Sequence, residues 1–156
     1  MRPYRDIATL AGAQLLCFLF LTHLEPNFFL IHLYQSILYI AILVMLFYME
    51  DRWAYMIGML ASFLWLGMAY AVGILSSAVR QVGEFRNGTL TANAVSLIAL
   101  LTGSIAVLMI AFCGRRWKRE YAGLGKTRST FLVSFGIVAA YYAVLITFFW
   151  EMIPNS

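Results

Sequence analysis

The chain has 156 residues, 63% of them apolar and only 12% charged. A soluble domain carries roughly 45–50% apolar and about 25% charged residues, and a globule of this size must wet much of its surface. These proportions exclude a soluble fold and a disordered one, and leave an integral membrane protein made almost entirely of its spans. The net charge of +4 is informative only in its distribution, because six of the eleven basic residues lie between Arg115 and Arg128.

A spanning helix needs about 20 predominantly apolar residues. Five runs qualify. The first covers 7–24, follows Arg5 and Asp6, and stops at Glu25-Pro26-Asn27. No A-x-A cleavage site follows it, so it reads as a retained helix rather than a signal peptide. The second covers 28–49 and is closed by Glu50-Asp51-Arg52; the third covers 53–79 and is closed by Arg80 and a polar stretch. The fourth covers 89–113, the fifth 130–152, and between them lies a basic loop over 114–129. Barrel strands alternate apolar and polar residues over about ten positions. Here the apolar character is continuous, as in Ile37 to Met49. The expected fold is an all-α integral membrane protein, one domain over 1–156, folded as a bundle of five transmembrane helices.

Orientation follows from lysine and arginine placement. A cytoplasmic N-terminus puts Arg2, Arg5, Arg52, Arg115, Arg116, Lys118, Arg119, Lys126 and Arg128 inside, against Arg80 and Arg86 outside. The C-terminus is then extracytoplasmic, and the expected location is a bacterial plasma membrane. The short connections at Glu25–Asn27 and Glu50–Arg52 make the first three helices antiparallel neighbours. No internal repeat is present.

Helices in lipid approach closely where small residues allow it. The third span aligns Tyr55, Gly58, Ser62, Ala69, Gly73 and Ser76; the fourth aligns Thr89, Asn93, Ser96 and Gly103; the fifth aligns Gly136, Ala140, Ala143 and Thr147. These are expected to be the bundle-facing sides, packing within the chain or with a neighbouring subunit rather than lining a pore. Trp53, Trp117, Trp150, Tyr4, Tyr48 and Tyr121 fall near span ends, where amphipathic rings favour the headgroup level. Trp65 lies mid-span, where lipid, a partner subunit or a bound pigment are its candidate neighbours, and lipid or protein contact is its simplest reading.

Ionisable residues deep in a bilayer are usually functional. Here every acid falls at a span end or in a loop, which argues against a proton-coupled pump. Gln14 and Asn93 are the most polar amides in the spans and suit interhelical hydrogen bonds. One cluster draws interest: His23 closes the first span, His32 opens the second, Glu25 lies between them, and His32, Gln35, Ser36 and Tyr39 share a helix face. Imidazoles suit a transition metal or haem iron, and a His, Gln and Tyr stripe suits a quinone headgroup. The favoured reading is that the histidines sit at the interface and bind no cofactor.

In the basic loop, Arg115, Arg116, Trp117, Lys118, Arg119, Lys126 and Arg128 have the composition of a segment lying on anionic lipid headgroups. Gly123-Leu-Gly125-Lys126-Thr127 lacks the first glycine and the preceding strand of a phosphate loop. The Asn87-Gly88-Thr89 sequon abuts a span and Cys113 could take an acyl chain, both weak signals. Cys17 and Cys113 show no paired spacing and read as small core residues. No HExxH, nucleophile elbow, CxxC or paired acids are present, so catalysis is not expected. The sequence points to a non-catalytic accessory subunit packed against larger membrane proteins, with an energy-converting complex as the candidate assembly and no nucleic-acid partner. A small homo-oligomeric channel or transporter and a His-ligated haem, metal or quinone binder are the alternatives.

Overall fold

The computed structural model describes residues 5–87, 93–121, 123, 125 and 127–149. They form helices α1 (Arg5–Leu24), α2 (Phe29–Phe47), α3 (Asp51–Ala71), α4 (Ile74–Arg86), α5 (Ala94–Glu120) and α6 (Thr127–Phe149), with a 3₁₀ turn over Pro26–Phe28 and no strand among the described residues. All but α4 are long and apolar enough to cross a membrane. The protein is an all-helical, multi-pass membrane bundle.

The chain's own chemistry starts and stops these helices. Asp6 accepts the Ile7 N–H at 2.9 Å in the first turn of α1, satisfying one of the amides a helix start leaves over. Pro26 ends the run, and the Phe28 N–H returns to the Glu25 carbonyl at 2.9 Å. The α2–α3 turn closes through Met49, which takes a left-handed φ of 64°. Next to it, the Glu50 carbonyl accepts the first α3 amides, Trp53 at 3.0 Å and Ala54 at 3.1 Å.

The expected third span over 53–79 is divided. Gly73 has a φ of +77°, open to glycine at little cost, and the backbone leaves the α3 axis there. Ser76 then bonds back to the Gly73 carbonyl, and Arg80, Gln81 and Glu84 follow. The product is a separate amphipathic helix. Its inner stripe, Leu75, Ala78, Gln81 and Val82, has helical spacing and lies antiparallel along the first half of α5. Leu75 meets Gly103 at one end, and Ser96 donates to the Gln81 side chain at the other. Gly73 is thus the break itself rather than part of a packing face.

Two further expectations change on α5. Asn93 is its N-cap, accepting the Val95 N–H at 3.1 Å, rather than an amide inside a span. Its far end continues as helix through Glu120, so the first half of the expected 114–129 loop is helical.

The core centres on α3, which is the most enclosed of the spans; α6 is the least. Phe18, Tyr39, Ile42, Ala54, Tyr55, Ala61, Trp65, Met109 and Val138 are buried. Phe20, Phe47, Leu132 and Phe148 are exposed on the outside, the surface a hydrocarbon solvent requires. Gly58, Ser62, Ala69 and Gly103 are buried as well. A Cβ on Gly58 would stand 3.3 Å from Cys113 Sγ, which marks a close approach of α3 and α5.

On α6 the expected face is reversed. Thr130, Ser134, Val138, Tyr142 and Leu145 point inward, whereas Gly136, Ala140, Ala143 and Thr147 are exposed. The tyrosines account for this. Tyr142 donates to the Ala61 carbonyl at 3.3 Å, and Tyr34 and Tyr141 stack at 4.2 Å while each phenol donates to the other's backbone carbonyl. In lipid, where apolar area gives no preference for a face, such bonds fix the rotation.

Candidate functional site

A cavity of about 530 Å³ opens at the end of the bundle that holds the α1–α2 turn and the α3–α4 break. All six helices line it. Its depth follows from residues one helical turn apart: Phe18 and Leu21 on α1, His32 and Gln35 on α2, Trp65, Met68 and Ala69 on α3. The break at Gly73 deflects the chain away and leaves the space. Gly73, Ile74 and Ser77 form the wall beyond it.

The polar part is compact. His32 Nε2 donates to Glu25 Oε2 at 3.1 Å, and both side chains are largely withdrawn from solvent. The 3₁₀ turn makes this pair by folding Glu25 back over the first turn of α2. The other ring nitrogen, Nδ1, is buried without a hydrogen-bond partner. Gln35, one turn further in, is buried against the same space. The start of α4 adds a fourth polar element, because the leading amides of a helix have no partner inside it and no side chain caps this one.

Aromatic rings form the floor. Phe18 stacks toward His32 at a centroid distance of 6.5 Å and meets Trp65 edge-on at 6.1 Å. Trp65 is therefore an internal wall and not a lipid-facing ring.

Of the expected ligand-binding residues, the structure brings His32 and Gln35 into this cavity. His23 is exposed on the outside of α1 and does not line it. Tyr39 sits a turn deeper, against Phe18 at 5.7 Å and facing Gln14 and Ser62 in mid-bundle. The Gln14 amide, the Tyr39 phenol and the Ser62 hydroxyl all lack a well-formed hydrogen bond. Glu25 was visible as a neighbour of the histidines, but its pairing depended on the turn. Trp65 stood out in the sequence as a mid-span ring, but its place here, like the contributions of Phe18 and the α4 start, needs the Gly73 break. Among the described residues, no group of three or more His, Cys, Asp or Glu side chains gathers to hold a metal.

The opposite end of the bundle carries charge. Arg116 donates to Asp6 Oδ2 at 2.9 Å and lies 3.6 Å from Glu120, tying α5 to α1. Trp117 is buried against Tyr121, with centroids 5.3 Å apart. Neither is presented to headgroups as the sequence suggested, because both lie on the inward face of the extended α5. Arg115, Lys118 and Arg119 lie on its outward face and are exposed, as is Arg128. Lys126 lies outside the described residues. Burial, reinforced by nearby Asp51, Glu120 and Glu50, raises the Tyr121 phenol above its usual value and keeps it protonated.

Comparison with protein-family models, curated proteins and solved structures finds no match to this chain.

Proposed function

We propose that the protein is a non-catalytic subunit of a larger membrane assembly, docked through the outward face of α6. The observation that carries this reading is the reversed face. Gly136, Ala140, Ala143 and Thr147 recur at helical spacing on the bundle's exterior, and a Cβ on Gly136 would meet nothing within 4 Å. Small residues at that spacing let a second transmembrane helix approach backbone to backbone, a contact that lipid tails do not need.

In this reading the N-terminus is cytoplasmic and the C-terminus extracytoplasmic, supported by nine basic residues against two across the connecting segments. A bacterial plasma membrane suits the minimal connections. The outward Arg115, Lys118, Arg119 and Arg128 then lie at the anionic cytoplasmic surface, each contributing about 1 kcal/mol of attraction.

The test is gentle extraction at native expression level, followed by sizing. The protein should elute in a stoichiometric larger complex, and Gly136→Leu should release it while Phe148→Leu, at a residue that is also exposed, does not. Elution alone or as a homo-oligomer would overturn the reading and leave transport by a homo-oligomer as the stronger idea.

A further inference from the structure

We propose that the cavity between Trp65, His32 and the start of α4 binds the ring of an isoprenoid quinone or its quinol. The size is right: small-molecule sites run from about 300 to 1,000 Å³ and combine apolar walls with a few convergent polar groups. This cavity has about 530 Å³ and walls dominated by Phe18, Leu21, Phe28, Trp65, Met68 and Leu145.

The charges narrow the class. The Glu25 carboxylate repels a phosphate or fatty-acid headgroup, so an anionic lipid is disfavoured. A metal cation is disfavoured because, among the described residues, no group of three or more His, Cys, Asp or Glu side chains gathers to hold it. What remains is a neutral molecule with oxygens that can meet different partners. An oxygen near the α4 amides and Gln35 meets donors, and an oxygen near the Glu25–His32 pair meets a charged acceptor. A quinone carbonyl suits the first, and a quinol hydroxyl suits the second. The flat ring fits beside the indole of Trp65 and the phenyl of Phe18, whose planes stand at 76° and so bound the space on two sides. Membrane placement supplies the rest, since the ligand's prenyl tail is soluble only in the bilayer that surrounds the bundle.

This inference stands apart from the assembly reading: it concerns the interior of the bundle rather than the outward face of α6 and is tested on the purified chain. The full chain in phosphatidylcholine nanodiscs is titrated with decyl-ubiquinone while tryptophan fluorescence is followed. Saturable quenching is expected, and Trp65→Phe should remove the saturating part. Ser77→Phe, which fills the cavity wall, should abolish saturation. Decyl-ubiquinol, whose hydroxyl can donate to the Glu25 carboxylate, should compete for the same site, and Glu25→Gln should weaken that competition about tenfold or more, as expected when a charged hydrogen-bond acceptor becomes neutral. Far-UV circular dichroism and elution volume verify that each variant is folded, and Trp65→Phe with Glu25→Gln decides the matter if Ser77→Phe is not. Quenching that rises linearly and equally in wild type and variants reports partition into the bilayer and overturns the proposal. Displacement of the quinone by phosphatidylglycerol at the same mole fraction also overturns it, assigning the cavity to a lipid headgroup.

Discussion

Gly58 and Gly136 are both helical glycines in apolar spans, yet the structure gives them opposite sensitivities. A Cβ on Gly58 would lie 3.3 Å from Cys113 Sγ, 3.7 Å from Ile42 Cδ1 and 3.7 Å from Met109 Sδ. Gly58→Ala therefore asks only the flexible neighbours to yield by a few tenths of an ångström. Its cost is offset by the gain of about 0.8–1 kcal/mol from replacing glycine with alanine in a helix, and the net change should be near zero. Gly58→Leu inserts an isobutyl group between α2, α3 and α5, where no side has room. Overpacking of this kind costs about 1–3 kcal/mol, and enclosure by three helices argues for the upper value. Gly136→Leu enters open space and keeps the propensity gain, so the isolated chain should be unchanged or stabilised by up to about 1 kcal/mol. The propensity gain is common to both leucine variants, so they should differ by the overpacking cost, about 3 kcal/mol, on the order of a hundredfold in folded-to-unfolded ratio. Denaturant titration of the purified chains in mixed micelles, read by circular dichroism, measures the difference. If Gly136→Leu is as damaging as Gly58→Leu, α6 is rotated relative to this structure and the docking argument fails with it.

Three other substitutions test separate features. Gly73→Ala forces an L side chain to a φ of +77°, a strain of about 1–2 kcal/mol; it should lower the melting temperature and speed amide exchange in α4. Met49→Gly should raise the melting temperature, because Met49 holds a φ of 64° in the α2–α3 turn and its side chain is exposed. For the Asp6–Arg116 pair, both side chains are about one-quarter exposed. A double-mutant cycle with Asp6→Asn and Arg116→Gln should return a coupling of about 1–2 kcal/mol, between the values for surface and buried pairs. A coupling near zero would show that Arg116 is held by Glu120 alone.

Membrane class and span count were legible because the bilayer imposes a length and a composition that 156 residues either meet or do not. Buried Gly58, Ser62, Ala69 and Gly103 lie on the faces their spacing suggested. The third span was misjudged at its end, since hydropathy from Ile74 to Val79 continues smoothly and the break is a property of one dihedral angle at Gly73. The α6 face was misjudged for a different reason. Small-residue spacing marks where a helix can be approached, not by whom, and the hydrogen bonds of Tyr141 and Tyr142 with backbone on α2 and α3 decide that question from a distance in sequence. The ligand-site expectation paired His23 with His32 because a tight turn joins their helices. Rotation about α1 sends His23 outward, and the turn delivers Glu25 instead.

The reciprocal bonds between Tyr34 and Tyr141 act as an index pin on α6. They set its angular position, so that one side of the helix is offered to the membrane and the other is withheld. The groups that define the outward surface are therefore half-buried where α6 meets α2, away from the exposed small-residue face a neighbour would touch. Loss of the Tyr141 hydroxyl would remove one of three bonds that hold this angle, leaving those from Tyr34 to the Tyr141 carbonyl and from Tyr142 to the Ala61 carbonyl. A scan confined to the outward residues would not find the groups that choose which side of the helix a neighbour meets.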